Sequence, residues 1–208
     1  MIYLIITSSI NNKAGVNDYE HRKATYIDCI TKSLSQLPVQ IKPIIVENNG
    51  TRETYLDTFS SNTCDVKYTN NNSVQCTHKG VNELLDIKNI IETYNIQDDD
   101  MIIKLTGRYS VLNNEFFNTV INNQDKDAFV KFFNVCTLRF MDYDCVLGLF
   151  AIRCKFLKVF WYSSNYAKSP EVEFSTFVKK MVNPDKLLSL SNLGLRCCFA
   201  DNLRILDV

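Results

Sequence analysis

Four polar runs in this chain each follow directly on an apolar one. Thr7-Ser8-Ser9 follows residues 2–6, Glu47-Asn48-Asn49-Gly50 follows 41–46, Asn70-Asn71-Asn72 follows 66–69, and Thr106-Gly107-Arg108-Tyr109 follows 101–105. If the apolar runs are parallel strands, the polar runs collect at the carboxyl rim of one sheet, where open α/β sheets bind their ligands. Arg108 then carries a guanidinium suited to paired contacts with phosphate oxygens. Gly107 permits a backbone geometry or a close approach that a Cβ would block. Lys79 and Gly80 open a helix whose free N–H groups and dipole favour an anion. Glu47 is placed to accept a hydrogen bond from a base N–H or a ribose hydroxyl. Thr7, Ser8, Glu47, Asn48, Asn49, Lys79, Gly80, Lys104, Thr106, Gly107, Arg108 and Tyr109 together suit a nucleotide diphosphate.

The elements that must position these residues alternate as βαβαβα, which predicts a largely parallel sheet covered by helices. Strands are expected at 2–7, 41–46, 66–69, 101–105, 128–133 and 146–152. A helix over 18–37 places Ala24, Ile27, Ile30 and Leu34 on one face and is closed by Pro38. A short helix is expected at 51–59 with Thr51 as its cap. The clearest helix covers 80–94, with Leu84, Ile87, Ile91 and Tyr94 at helical spacing. Further helices are expected at 114–121, 156–162 and 172–181, and 188–199 reads as a last strand or hairpin near the edge. Phe156, Phe160 and Trp161 read as core, with Trp161 and Tyr162 also able to stack on a sugar. No linker or repeat interrupts the chain, so one domain is expected.

Length and composition set limits. The chain has 208 residues, and 23 basic side chains balance 23 acidic ones, so no broad electrostatic footprint argues for nucleic acid. No apolar run approaches the roughly 20 residues of a membrane span, and the amino-terminal run lacks the basic flank of a secretion signal. A cytoplasmic chain is the expectation. The eight cysteines are scattered through apolar segments without metal-ligand spacing and read as reduced core residues.

The Val-Glu-Asn-Asn turn at 46–49, the Lys-Gly-x-x-Glu-Leu-Leu run at 79–85 and the Lys-Leu-Thr-Gly-Arg-Tyr turn at 104–109 resemble, in their order, a small GT-A-type glycosyltransferase. Gly148-Leu149-Phe150-Ala151-Ile152-Arg153 also resembles the strand that follows the donor site in such enzymes. The resemblance covers residues 2 to about 181. It implies a single GT-A-like, Rossmann-like α/β domain with a mixed, mostly parallel sheet, a donor half over about 1–110 and an acceptor half over about 111–208. Compact enzymes of this kind are encoded by large DNA viruses and by bacteria that build surface glycans. The implied partners are a nucleotide-diphosphate-sugar donor and a glycan or other hydroxyl acceptor.

One departure matters. Most such enzymes hold Mn²⁺ or Mg²⁺ with an Asp-x-Asp motif at the carboxyl end of the fourth strand, where this chain has Thr106-Gly107-Arg108. Asp98-Asp99-Asp100 precedes that strand and falls at the wrong rim. The resemblance therefore implies metal-independent chemistry, with Arg108 and Lys79, supported by Lys104, neutralising the leaving diphosphate. It further implies a catalytic carboxylate after the sixth strand, Glu173 first and Glu171 second, with Asp142 and Asp144 in reserve. Two other readings stay open. A nucleotidyltransferase shares the sheet but would carry a glycine-rich basic loop after the first strand, which Thr7-Ser8-Ser9-Ile10 does not begin. A non-catalytic nucleotide- or glycan-binding module would bind donor without turnover.

Overall fold

The computed structural model describes residues 1–11, 18–50, 54–74, 79–163, 168–199 and 204–208, the Lys79 side chain excepted. Its centre is the run of apolar strands read from the sequence. β1 (Ile2–Ser8), β2 (Ile41–Glu47), β3 (Asp65–Tyr68) and β4 (Met101–Thr106) are joined in parallel in the order β3-β2-β1-β4. β1 and β4 are buried along their whole length, as strands covered on both faces must be.

Beyond β4 the sheet turns mixed. β7 (Leu149–Arg153) runs antiparallel to β4, β6 (Ala128–Val130) antiparallel to β7, and β8 (Leu187–Ser189) closes the edge parallel to β6. A second sheet joins the two-residue β5 (Ser110–Val111), β9 (Leu195–Cys198) and β10 (Ile205–Asp207). The segment expected as one terminal hairpin is thus divided between two sheets. The helix expected over 51–59 is a single 3₁₀ turn at Asp57–Phe59, with Thr51 outside the described residues.

Strand alternation sends odd and even positions of β4 to opposite faces. Met101, Ile103 and Leu105 pack with α1 (Tyr19–Ser35) and α3 (Glu115–Asn122). Ile102 packs with α2 (Lys79–Thr93), α4 (Cys154–Val159) and α5 (Pro170–Met181), and Lys104 projects to that same side. On α2 the buried apolar stripe is Leu84, Ile87, Ile90 and Ile91; Leu84, Ile87 and Ile91 are as expected, whereas Tyr94 is only partly buried. On α1 it shares only Ile30 with the expected face: Arg22, Tyr26, Cys29, Ile30 and Ser33 are buried while Ala24 is exposed. Arg22 can be buried because its Nε donates to the Ile10 carbonyl at 3.0 Å and its Nη2 to that of Ser9. Phe156 and Phe160 are core, but Trp161 is 59% exposed, its ring 4.0 Å from the Lys88 ammonium. The seven described cysteines form no disulfide.

One buried carboxylate ties three elements together. Asp86 of α2 accepts from Asn48 Nδ2 after β2 (3.0 Å), from Thr69 Oγ1 after β3 (2.6 Å) and from Asn71 Nδ2 (2.8 Å). All three donors are neutral. Burial pushes its pKa up to about 7, against the lowering effect of those hydrogen bonds. A carboxyl group whose folded pKa is raised binds its proton more tightly when folded. Its stabilising contribution is therefore complete below the unfolded value near 4 and is lost as pH rises towards 7, each unit being worth about 1.4 kcal/mol. Asp86→Asn is expected to remove this dependence, because its amide does not titrate. In urea titrations the stability gap between wild type and Asp86→Asn should be widest at or below about pH 4, narrow as pH rises, and be smallest above pH 7. A gap independent of pH would mean that Asp86 stays ionised throughout.

Candidate functional site

At the carboxyl end of β4 the backbone leaves the sheet in a tight turn. Gly107 N donates to Thr7 O at 2.8 Å and Tyr109 N to Thr106 O at 2.9 Å. A Cβ on Gly107 would stand 3.0 Å from Thr7 O and 3.1 Å from the Tyr26 ring, so a side chain there would press on β1 and α1. This turn delivers Thr106, Arg108 and Tyr109 to a cavity of about 280 Å³. Gly80 and Glu83 of α2 form one wall, and residues 145–148 ahead of β7 another. Pro170 and Glu171 at the start of α5, Val135, and Cys197 and Phe199 at the end of β9 complete it.

Lys104 is the charged centre. It is 3% exposed, and its ammonium has three acceptors for its three protons. These are Glu83 Oε2 at 2.7 Å, Thr106 Oγ1 at 2.6 Å and the Leu147 carbonyl at 3.0 Å. Arg108 lines the same cavity. Its Nε donates to the Cys198 carbonyl at 2.9 Å and its guanidinium lies 5.0 Å from the Tyr109 ring centre. Burial works against its charge, but Tyr109, Tyr26 and Glu83 outweigh that and hold its pKa above the ordinary value. Burial likewise raises the Tyr109 phenol and pushes the Cys197 thiol up to about 12, so both stay protonated. The charged lining is two cations, Lys104 and Arg108, and two carboxylates, Glu83 and Glu171.

The predicted residues divide into two groups. Gly80, Lys104, Thr106, Arg108, Tyr109 and Glu171 line the cavity. Thr7, Ser8, Glu47, Asn48 and Asn49 do not; all five are buried. Glu47 is 0% exposed. Its Oε1 accepts from Ile10 N (3.2 Å), Asn49 N (3.2 Å) and Asn49 Nδ2 (2.6 Å), and its Oε2 from the Tyr55 hydroxyl (2.7 Å). Ser8 Oγ donates to the Val46 carbonyl at 3.0 Å, and Thr7 Oγ1 to that of Leu105 at 3.5 Å. The rim of β1 and β2 thus forms an internal polar scaffold rather than an open ligand surface. Lys79 heads α2, with its side chain outside the described residues, as is His78.

Glu173 faces Ser163, accepting its backbone N–H and its hydroxyl at 2.7 Å each. Glu171, two residues earlier, borders the cavity because Ser169 caps α5, its Oγ accepting from Val172 N at 3.3 Å, and so sets which acid faces inward. Asp142 pairs with Lys179, and Asp144 accepts from Asn134. The aspartate triplet lies at the amino end of β4, where Asp100 meets the terminal amine at 2.6 Å and Asp98 meets Lys158 at 2.6 Å. At the carboxyl end the donor set does not fit a divalent cation. An ammonium already occupies the position beside Thr106 and engages the Glu83 carboxylate. Among the described residues no three His, Cys, Asp or Glu side chains gather as metal ligands.

Two contributors escaped the sequence reading. Glu83 stands within the run 79–85, and its signal was a carboxylate one turn into a helix that starts at the rim. Gly148 opens the run 148–153, but its place against the cavity has no local signal: a Cβ there would fall 2.3 Å from the Tyr109 ring, so the glycine sets where that ring lies.

No protein-family model matches the sequence, and no curated protein does. Solved structures match by shape. Residues 1–349 of S. aureus TarS align at a TM-score of 0.57 and 14% identity, over 92% of this chain and 58% of that one. The apo-form glycosyltransferase GlyE of Streptococcus pneumoniae TIGR4 aligns at 0.53 and 9% identity, over 91% of this chain and 45% of that one. A 4-diphosphocytidyl-2C-methyl-D-erythritol synthase aligns at 0.51 and 10% identity, over 93% and 90%. The chain has their common GT-A-like, Rossmann-type fold. It spans just over half of the TarS fragment and less than half of GlyE.

Two substitutions separate scaffold from cavity. Glu47→Ala removes the acceptor of four hydrogen bonds and is expected to destabilise the fold by about 3–5 kcal/mol, read as a lower denaturation midpoint. Gly148→Ala is expected to displace the Tyr109 ring and weaken ligand binding at the cavity, measured by calorimetry, more than it lowers the melting temperature.

Proposed function

We propose that the protein is a glycosyltransferase that moves a hexosyl or pentosyl unit from a nucleotide-diphosphate-sugar to an acceptor hydroxyl. The observation that carries this reading is the cavity at the end of β4, where Arg108, the Lys104–Glu83 pair, the start of α2 and Glu171 converge. In the proposed reaction the bond between the anomeric carbon and the diphosphate oxygen breaks. The acceptor oxygen bonds to that carbon, and its proton passes to a carboxylate. Arg108 meets the charge that develops on the leaving diphosphate, together with the N–H groups at the start of α2.

Lys104 is already hydrogen-bonded to three acceptors, so it contributes its field rather than a new contact. The base role goes to Glu171, since both oxygens of Glu173 are engaged by Ser163. In this scheme Arg108 and the N–H groups at the start of α2 meet the diphosphate without a divalent ion. The synthase with the same fold makes nucleotidyl transfer the competing reading. That reaction would release pyrophosphate from a nucleoside triphosphate rather than a nucleoside diphosphate from a nucleotide sugar.

A thermal-shift screen against UDP, GDP, CDP, dTDP and their sugar conjugates, with EDTA and with Mn²⁺, tests the reading. A ligand at a hundredfold excess over its dissociation constant stabilises the native state by about 2.7 kcal/mol, which is easily seen. A shift with one nucleotide that survives EDTA is expected, and no shift with any would overturn the assignment. Arg108→Ala should weaken diphosphate binding by roughly tenfold to a hundredfold, consistent with losing a charged hydrogen bond. Glu171→Gln should leave donor binding intact and lower turnover by about 10²–10⁴.

A further inference from the structure

Beside the charged centre of the cavity lies a second, smaller hollow of about 20 Å³. That is room for one group about the size of a water molecule. The two spaces share a wall: Gly80, Glu83, Lys104 and Leu147 line both. The smaller one therefore adjoins the Lys104–Glu83 pair.

Its character is the opposite of its neighbour's. Gly80, Glu83, Leu84 and Ile87 fall at i, i+3, i+4 and i+7, a single face of α2. Along that face the lining changes from polar at the rim to apolar one turn further in. Leu84 and Ile87 are joined there by Leu157, Phe150, Phe160 and Phe174, and all six are buried. The Phe174 ring lies 4.4 Å from that of Phe150 and 5.4 Å from that of Phe160, centre to centre. Tyr162 meets Phe160 edge-on at 4.8 Å. Rings packed against one another in this way fix the size of the hollow.

A hydroxyl entering it gains nothing from the Lys104 ammonium. The three protons of that group already go to Glu83, Thr106 and the Leu147 carbonyl. A polar group that leaves water without a partner is penalised, whereas a methyl group is stabilised by burial. Position adds to chemistry. In the reaction proposed above, the start of α2 meets the diphosphate and Glu171 takes the proton of the acceptor. Gly80, at that start, lines both spaces, and Glu171 lines only the larger. The smaller hollow thus lies on the donor side.

We propose that this hollow seats a methyl group carried by the transferred sugar, either the terminal methyl of a 6-deoxyhexose or that of an N-acetyl group. The assignment rests on the transferase reading and narrows it. Calorimetry on the full chain tests it, using sugar conjugates of whichever diphosphate nucleotide gives the thermal shift. Three conjugates are compared in the gluco, galacto and manno configurations: the plain hexose, its 6-deoxy form and its 2-N-acetyl form. One methyl-bearing form should bind on the order of tenfold tighter than the plain hexose, and which one does so identifies the source of the methyl. Ile87→Phe fills the hollow and should erase that preference. Because the readout is a ratio of affinities, a general loss of binding does not imitate the effect. The wild-type comparison decides the matter even where Ile87→Phe does not fold. Equal or weaker binding of both methyl-bearing forms in every configuration overturns the proposal, as does a preference that Ile87→Phe retains. A nucleotide shift without any preference among sugars would sink the methyl seat alone. No shift with any nucleotide would sink the transferase reading and the seat with it.

Discussion

The ammonium of Lys104, held inside the sheet, is the interaction on which the functional end of the molecule rests. A charge removed from water costs several kcal/mol unless it is paired and its protons are satisfied. Here Glu83 supplies the opposite charge, and Thr106 and the Leu147 carbonyl take the other two protons. Each partner belongs to a different element, so satisfying one ammonium fixes α2, the end of β4 and the segment before β7 relative to one another. The cavity walls are those same pieces. Lys104 thus organises the site by what it needs as well as by the charge it lends.

The carboxyl rim of the sheet is divided between two tasks. Over β1, β2 and β3 the polar residues are spent on one another: Glu47 gathers donors from the residues after β1 and from its own turn, and Asp86 pins α2 to the turns after β2 and β3. Over β4 the polar side chains face a cavity instead. Open α/β sheets place ligands at this rim because strand ends leave polar backbone and short turns there. The same geometry accommodates a buried scaffold, and burial decides which residues serve which purpose.

That is also where the sequence stopped being legible. The central strands, α2 and the Thr-Gly-Arg-Tyr turn could be read because continuous apolar runs, helical periodicity and a glycine at a strand end each have a local cause. Burial is not local. Glu47 and Arg108 look equally available in the sequence, yet one is sealed by Tyr55 and Asn49 and the other borders the cavity. The buried face of α1 was misread because Arg22 and Ser33 lie on it, and hydropathy cannot anticipate an arginine whose protons go to backbone carbonyls. The antiparallel course of β7 and the pairing of Ser110 with Arg196 join residues far apart in the chain, through strands as short as two residues, too short to carry a pattern.

That last pairing sets an order of assembly. β1 to β4 bring together their own neighbours from the first half of the chain and can condense on α1 and α2 while later residues are still being added. The wall formed by Cys197 and Phe199, and the carbonyl of Cys198 that holds Arg108, arrive with the final strands, a separation of 90 residues for that one bond. Contacts between residues far apart in the chain must first meet the entropy of closing the long loop between them. A chain short of its last strands therefore lacks both that wall and the carbonyl that fastens its arginine.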